Sequence, residues 1–148
     1  MLSGVIDFFV VANDTKGSIR DIPVNEVATW IAQNTPPDAV FLNSSYLYHP
    51  ASIAGRPIFL GWPYFAWSAG YSENRMPVMD TLYETRNNNE RCDMLKKRNI
   101  SYVTVEEVKN DTNLPDIDLA YYRKTFTPVF LSKDNRYAIF TIEELCKK

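Results

Sequence analysis

Few residues in this chain have the type and setting to do chemistry, and most of them fall between residues 43 and 75. Ser68 stands in "AWSAG" after an apolar run, close to the Gly-x-Ser-x-Gly elbow that exposes a nucleophilic serine at a strand-to-helix turn. Such a serine needs a base within hydrogen-bond reach, and His49 is the one histidine. Three features depart from the elbow. Ala66 replaces the glycine two residues before the serine, His49 precedes the serine instead of following it, and 148 residues are too few for the fold that carries the motif. Hydrolysis by Ser68 therefore stands as one alternative only.

A binding role has more material. "GRPIFLGWPYFAWSAGY", residues 55–71, holds two tryptophans, four other aromatics and three glycines. Trp62, Tyr64, Phe65, Trp67 and Tyr71 follow an apolar segment that ends at Gly61, and the carboxyl end of a strand is where an α/β sheet usually takes its ligands. Aromatic faces there can stack on sugar rings, meet a lipid interface or dock a protein. Alternatively the loop folds back and roofs the core, since large aromatics also dominate core packing. Asn43, His49, Arg56 and Arg75 lie near the same strand ends, so that with Trp62, Tyr64, Trp67 and Ser68 they could line one cleft. The arginines would suit a phosphate or carboxylate.

Composition excludes several classes. Lys and Arg number 16 against 18 Asp and Glu, with no concentrated basic run of the kind that binds nucleic acid. One histidine and two isolated cysteines, Cys92 and Cys146, cannot supply the ligand spacing of a structural zinc site. Their spacing leaves open whether they pair or remain thiols. The five glycines form no Gly-x-Gly-x-x-Gly dinucleotide frame. Adjacent acids such as Glu106 and Glu107, or Glu143 and Glu144, do not converge on one helix face and read as solvated. No catalytic residue, metal ligand or cofactor is expected.

The elements that must position these residues are readable in outline. Val24, Val27, Ala28 and Ile31 recur at helical spacing, and Pro36-Pro37 stops that helix near Asn34. Residues 39–42 read as a buried strand, 49–56 as a short helix closed by Gly55, and 57–61 as a second strand. Helical faces at Met79, Leu82 and Tyr83 and at Cys92 and Leu95 are broken by Pro77 and the 87–89 asparagines. A third strand over 100–105 follows, then a helix within 114–126. A hairpin turning at Asp134-Asn135 ends the chain. Alternating helices and buried strands predict an α/β domain over 20–148. Its expected sheet is three-layer-like, with about five strands, mostly parallel, a C-terminal antiparallel hairpin, and helices packed on the sheet.

No segment reaches the roughly 18 apolar residues of a membrane span. Residues 2–12, "LSGVIDFFVVA", are too short and carry Asp7, and they lack the basic start and cleavage site of a signal peptide. Four Asn-x-Ser/Thr sites, at Asn13, Asn43, Asn99 and Asn110, lean toward an extracytoplasmic location.

Three runs carry a resemblance: "WIAQNTPPDAVFLNSS", "HPASIAGRPIFLGWPYFAWSAGY" with Arg75 beyond it, and "MLKKRNISYVTV". With the closing "FTPVFLSKDNRYAIFTI", they resemble the extracytoplasmic C-terminal region of multi-spanning membrane proteins of the GT-C glycosyltransferase type. The likeness spans most of residues 20–142. One departure is Ala69, where such regions tend to read Trp-Ser-His-Gly. The resemblance implies that residues 1–19 are a juxtamembrane segment and that the domain lies on the extracytoplasmic face of the cell membrane, as part of a multi-pass protein. It also implies a polyprenyl-phosphate-linked sugar donor, with catalytic acids on the membrane-spanning portion of the same polypeptide. The domain would then assist acceptor or lipid-linked sugar handling without being catalytic alone. A freestanding carbohydrate-binding or structural interaction domain is the alternative.

Overall fold

The computed structural model describes residues 22–70, 73–107 and 115–147. The expected juxtamembrane segment, Tyr71, Asn13 and Asn110 lie outside the described residues. Among those described, four strands form one open mixed sheet with seven helices.

The chain opens with α1 (Glu26–Asn34), whose Asn25 cap accepts the Ala28 N–H at 3.0 Å. Thr35 ends it, just ahead of the two prolines. Strand β1 (Val40–Leu42) runs parallel to β2 (Ile100–Glu106), which pairs antiparallel with β4 (Tyr137–Thr141). Short β3 (Phe130–Leu131) completes the order β1-β2-β4-β3. Asn135, at φ +60°, makes the hairpin turn expected between the last two strands.

Between β1 and β2 the chain forms α2 (Pro50–Ile53), α3 (Pro63–Ser68), α4 (Met76–Glu84) and α5 (Asn88–Lys97). Pro77 does not break α4 but sits in its first turn, where its missing N–H costs nothing. Asn87 caps α5 by accepting the Glu90 N–H. The chain then adds α6 (Leu119–Thr125) before the hairpin and α7 (Ile142–Leu145) after it.

The period-two alternation of the strands divides the apolar side chains into two cores. Phe41 and Ile139 meet Val27, Ala28 and Ile31 of α1 and Ala51 of α2 on one side. On the other, Leu42, Val103, Val105 and Phe140 meet Met79, Leu82 and Tyr83 of α4, Leu95 of α5 and Tyr122 of α6. A disulfide joins Cys92 on α5 to Cys146 just past α7, closing a loop over a separation of 54 residues.

The expected sheet needs correction. It has four strands, not five, and one parallel pair against two antiparallel ones. The missing strand is 57–61, which makes only a single bridge, Phe41 to Ile58. Pro57 has no N–H to give to a ladder. One step further, the Asn43 amide replaces a strand neighbour: its Oδ1 accepts the Leu60 N–H at 3.0 Å and its Nδ2 donates to the Leu60 carbonyl at 2.6 Å. The backbone groups of Leu60 are satisfied by one side chain, so the ladder ends there.

Candidate functional site

Helix α3 follows directly from that clamp. Pro63 occupies its first turn, Trp62 is its cap without a side-chain hydrogen bond, and Gly70 closes it at φ +82°. A six-residue helix has little stability of its own, and amphipathic helices normally bury one face. This one buries none of its residues. Tyr64, Phe65 and Trp67 are 60%, 61% and 71% exposed, and Trp62 is 39% exposed with its ring edge-on to Tyr46 at 6.1 Å. Trp62, Tyr64, Phe65 and Trp67 therefore form a surface and do not roof the core, whereas Phe59 before them is buried in it.

Two clefts flank the helix. One, of about 400 Å³, is lined by Phe59, Leu60, Trp62, Phe65, Glu73 and Arg75, among others. The second, about 250 Å³, opens between Pro63 and Trp67 and the start of α4. Arg75 and Glu73 border both. Arg75 donates from Nη1 to the Phe59 carbonyl at 3.0 Å and from Nε to Glu73 at 3.1 Å, and its guanidinium lies 5.4 Å from the Phe59 ring centroid. Nη2 has no protein partner among the described residues. A guanidinium neutralised by an adjacent carboxylate offers donors and acceptors together, which suits hydroxyl groups better than a bare phosphate.

Of the residues expected to share a cleft, Trp62 and Arg75 line the larger one and Trp67 and Arg75 the smaller, with Asn43 behind them holding the Leu60 floor of both. Tyr64 lines neither cleft. Ser68 donates its hydroxyl to the Phe65 carbonyl at 3.1 Å, and no histidine attends it.

Arg56 and His49 are committed elsewhere. Arg56 donates to the carbonyls of Ala32, Thr35 and Ala54 at 2.8 to 2.9 Å and to the Thr35 hydroxyl at 3.2 Å. Its charge thus sits at the negative C-terminal end of α1 and satisfies carbonyls that the helix leaves over. His49 is fully buried. Its Nδ1 accepts the Ala51 N–H at 3.2 Å, capping α2, so the ring proton is on Nε2 and is shared between Thr104 Oγ1 at 3.0 Å and Tyr137 Oη at 2.9 Å. Desolvation lowers its pKa to about 3. The ring is neutral at physiological pH and tied on both sides.

Sequence reasoning missed the network His49 belongs to. Thr104 donates to the Leu42 carbonyl at 2.8 Å and accepts the Ser44 N–H at 3.2 Å, and Ser44 donates its hydroxyl to Glu106 at 2.7 Å. Burial, and then the Glu106 charge, hold the Tyr137 hydroxyl well above its ordinary pKa. The available signal was the alternation in "SYVTVE": Tyr102, Thr104 and Glu106 share one face of β2 while Val103 and Val105 take the other. This network borders a cavity of about 610 Å³ between the start of α1 and the β3–β4 hairpin, where Glu107 pairs with Arg136 at 2.9 Å.

Asn43, one of the four Asn-x-Ser/Thr sites, is fully buried, whereas Asn99 is exposed in the turn before β2. Among the described residues no group of three or more His, Cys, Asp or Glu side chains could hold a metal ion, and no helix is long and apolar enough to cross a membrane. The chain matches no family model and no curated protein.

Proposed function

We propose that residues 20–148 are the extracytoplasmic domain of a membrane-embedded protein of the GT-C glycosyltransferase type. The domain presents Trp62 and the Arg75–Glu73 pair to the acceptor or lipid-linked sugar handled by the membrane portion, and is not catalytic alone. The observation that carries this reading is α3, a helix that with its cap Trp62 leaves four aromatic side chains exposed beside a cleft with a guanidinium and a carboxylate at its wall. Aromatic residues next to paired polar groups can stack on a sugar ring while bonding its hydroxyls. The sequence likeness over residues 20–142 supports the membrane context. The Cys92–Cys146 disulfide agrees with an oxidising compartment, where such bonds persist.

The test is sugar transfer by the intact protein carrying Trp62→Ala or Arg75→Ala, with folding checked separately. Loss of transfer in a folded protein is expected, and unchanged transfer would refute the role of the cleft. The same cleft would serve a freestanding carbohydrate-binding domain, which would show direct affinity of the isolated chain for soluble glycans.

A further inference from the structure

The clefts take in only the edges of Phe65 and Trp67, which stay 61% and 71% exposed, and leave the rest of that aromatic surface without a purpose. Tyr64 lines neither cleft, yet its ring lies 5.8 Å from Trp67 and 6.2 Å from Phe65, forming a continuous exposed cluster. Leu47 and Tyr48, next in sequence to the Tyr46 whose ring packs on Trp62, are exposed as well. An exposed aromatic patch of this kind marks a contact surface.

The chemistry narrows the partner. Residues 61–70 carry no charge, and the nearest charged pair, Arg75 and Glu73, is neutralised internally. The cluster therefore has nothing to offer an ionic partner. Its rings are tilted at 46° and 65° to one another, so they make no flat platform for a sugar. The cluster also projects outward, so a protein partner would need a matching hollow, whereas a bilayer deforms to fit. Trp and Tyr, with apolar bodies and polar tips, are the side chains enriched at membrane–water interfaces.

We propose that Tyr64, Phe65 and Trp67 seat α3 in the interface of a lipid bilayer, through an uncharged contact with the boundary between headgroups and acyl chains. This rests on the reading that the domain works at a membrane surface. It adds that α3 itself sets the height of the flanking clefts above the bilayer, keeping Trp62 and Arg75 at headgroup level where a lipid-linked sugar would lie.

The test uses the 148-residue chain and phosphatidylcholine vesicles. Replacing Phe65 and Trp67 together with serine is expected to lower vesicle partitioning by about tenfold or more, the factor that corresponds to losing part of the burial of two aromatic side chains. Because α3 buries no residue, the variant keeps its urea midpoint. In a Trp30→Phe/Trp62→Phe background Trp67 is the sole tryptophan, and brominated phosphatidylcholine should quench its emission at low and high salt alike. Equal partitioning of the serine variant would overturn the proposal. So would Trp67 emission untouched by brominated lipid, or binding that appears only with phosphatidylglycerol and vanishes in salt. Self-association through α3, seen as a monomeric serine variant of an oligomeric chain, would overturn it too. If Trp62→Ala impairs sugar transfer while vesicle binding ignores α3, this inference alone fails and the proposed function stands.

Discussion

Acid should destabilise this protein through His49 well before its carboxylates titrate. Protonating the ring would place a second N–H on Nδ1, facing the Ala51 N–H that Nδ1 accepts in capping α2, and would put an unsolvated charge between the sheet and that helix. The native pKa is accordingly about 3 against an ordinary 6.5. Because the folded value is depressed, the unfolded chain binds the proton first as pH falls, and stability declines from pH 6.5 downward at up to about 1.4 kcal/mol per pH unit. Between pH 7 and pH 5 the loss comes to about 2 kcal/mol. With a urea slope of about 2 kcal/mol/M, the midpoint should fall by roughly 1 M. The carboxyls of Asp134 and Glu144 are also held below their ordinary values, by hydrogen bonds from Ser132 and Lys147. They add their own losses only below about pH 4.5, while Asp80, raised by burial, acts in the opposite direction, so the histidine's share is read from the comparison with a variant lacking it. Urea titrations at fixed ionic strength, for wild type and for His49→Asn, would measure the effect. Asparagine retains a cap but does not titrate, and its profile should be flatter by those 2 kcal/mol. A wild-type midpoint that does not move between pH 7 and pH 5, or a folded-state NMR titration of the single histidine near 6.5, would refute the reasoning.

Other consequences can be measured with the same titrations. Replacing Cys92 and Cys146 with alanine removes a cross-link across 54 residues, which the chain-entropy estimate puts at about 4 kcal/mol; unchanged stability would show that the bond does not constrain the unfolded chain. Asn43→Leu strands the Leu60 N–H and carbonyl in the interior and should cost about 2–4 kcal/mol. Arg56→Met leaves the last carbonyls of α1 without donors, at about 1–3 kcal/mol, and Arg56→Lys should not fully rescue it because an ammonium cannot reach four acceptors in fork geometry. Tyr64→Ala and Trp67→Ala should shift stability by no more than about 0.5 kcal/mol, whereas a loss of several kcal/mol would return the aromatics to the core.

Local patterning made most of the elements legible. The apolar repeat ending at two prolines gives α1, the face of Met79, Leu82 and Tyr83 gives α4, and Asp134-Asn135 gives the hairpin. The 57–61 segment reads as a strand because its apolar run has a strand's length and composition. What prevents it is the Asn43 side chain, 17 residues before Leu60, and a single sequence carries no mark of that contact. The same limit applied to the site. Trp62, Trp67 and Arg75 lie close together in the chain, and the two tryptophans line neighbouring clefts that share Arg75, whereas Arg56 and His49, equally near in sequence, are drawn inward by partners on α1, β2 and β4. Polar residues near a strand end reveal their neighbourhood, but whether they face solvent or cap a helix depends on long-range packing.

The central claim, that this domain belongs to a membrane-embedded protein, is most directly tested on the native gene product. An antibody against the domain would report its mass on a blot and its partition between membrane and soluble fractions. A species far larger than 17.1 kDa that requires detergent for extraction is the predicted result. A soluble product near 17.1 kDa would contradict the account.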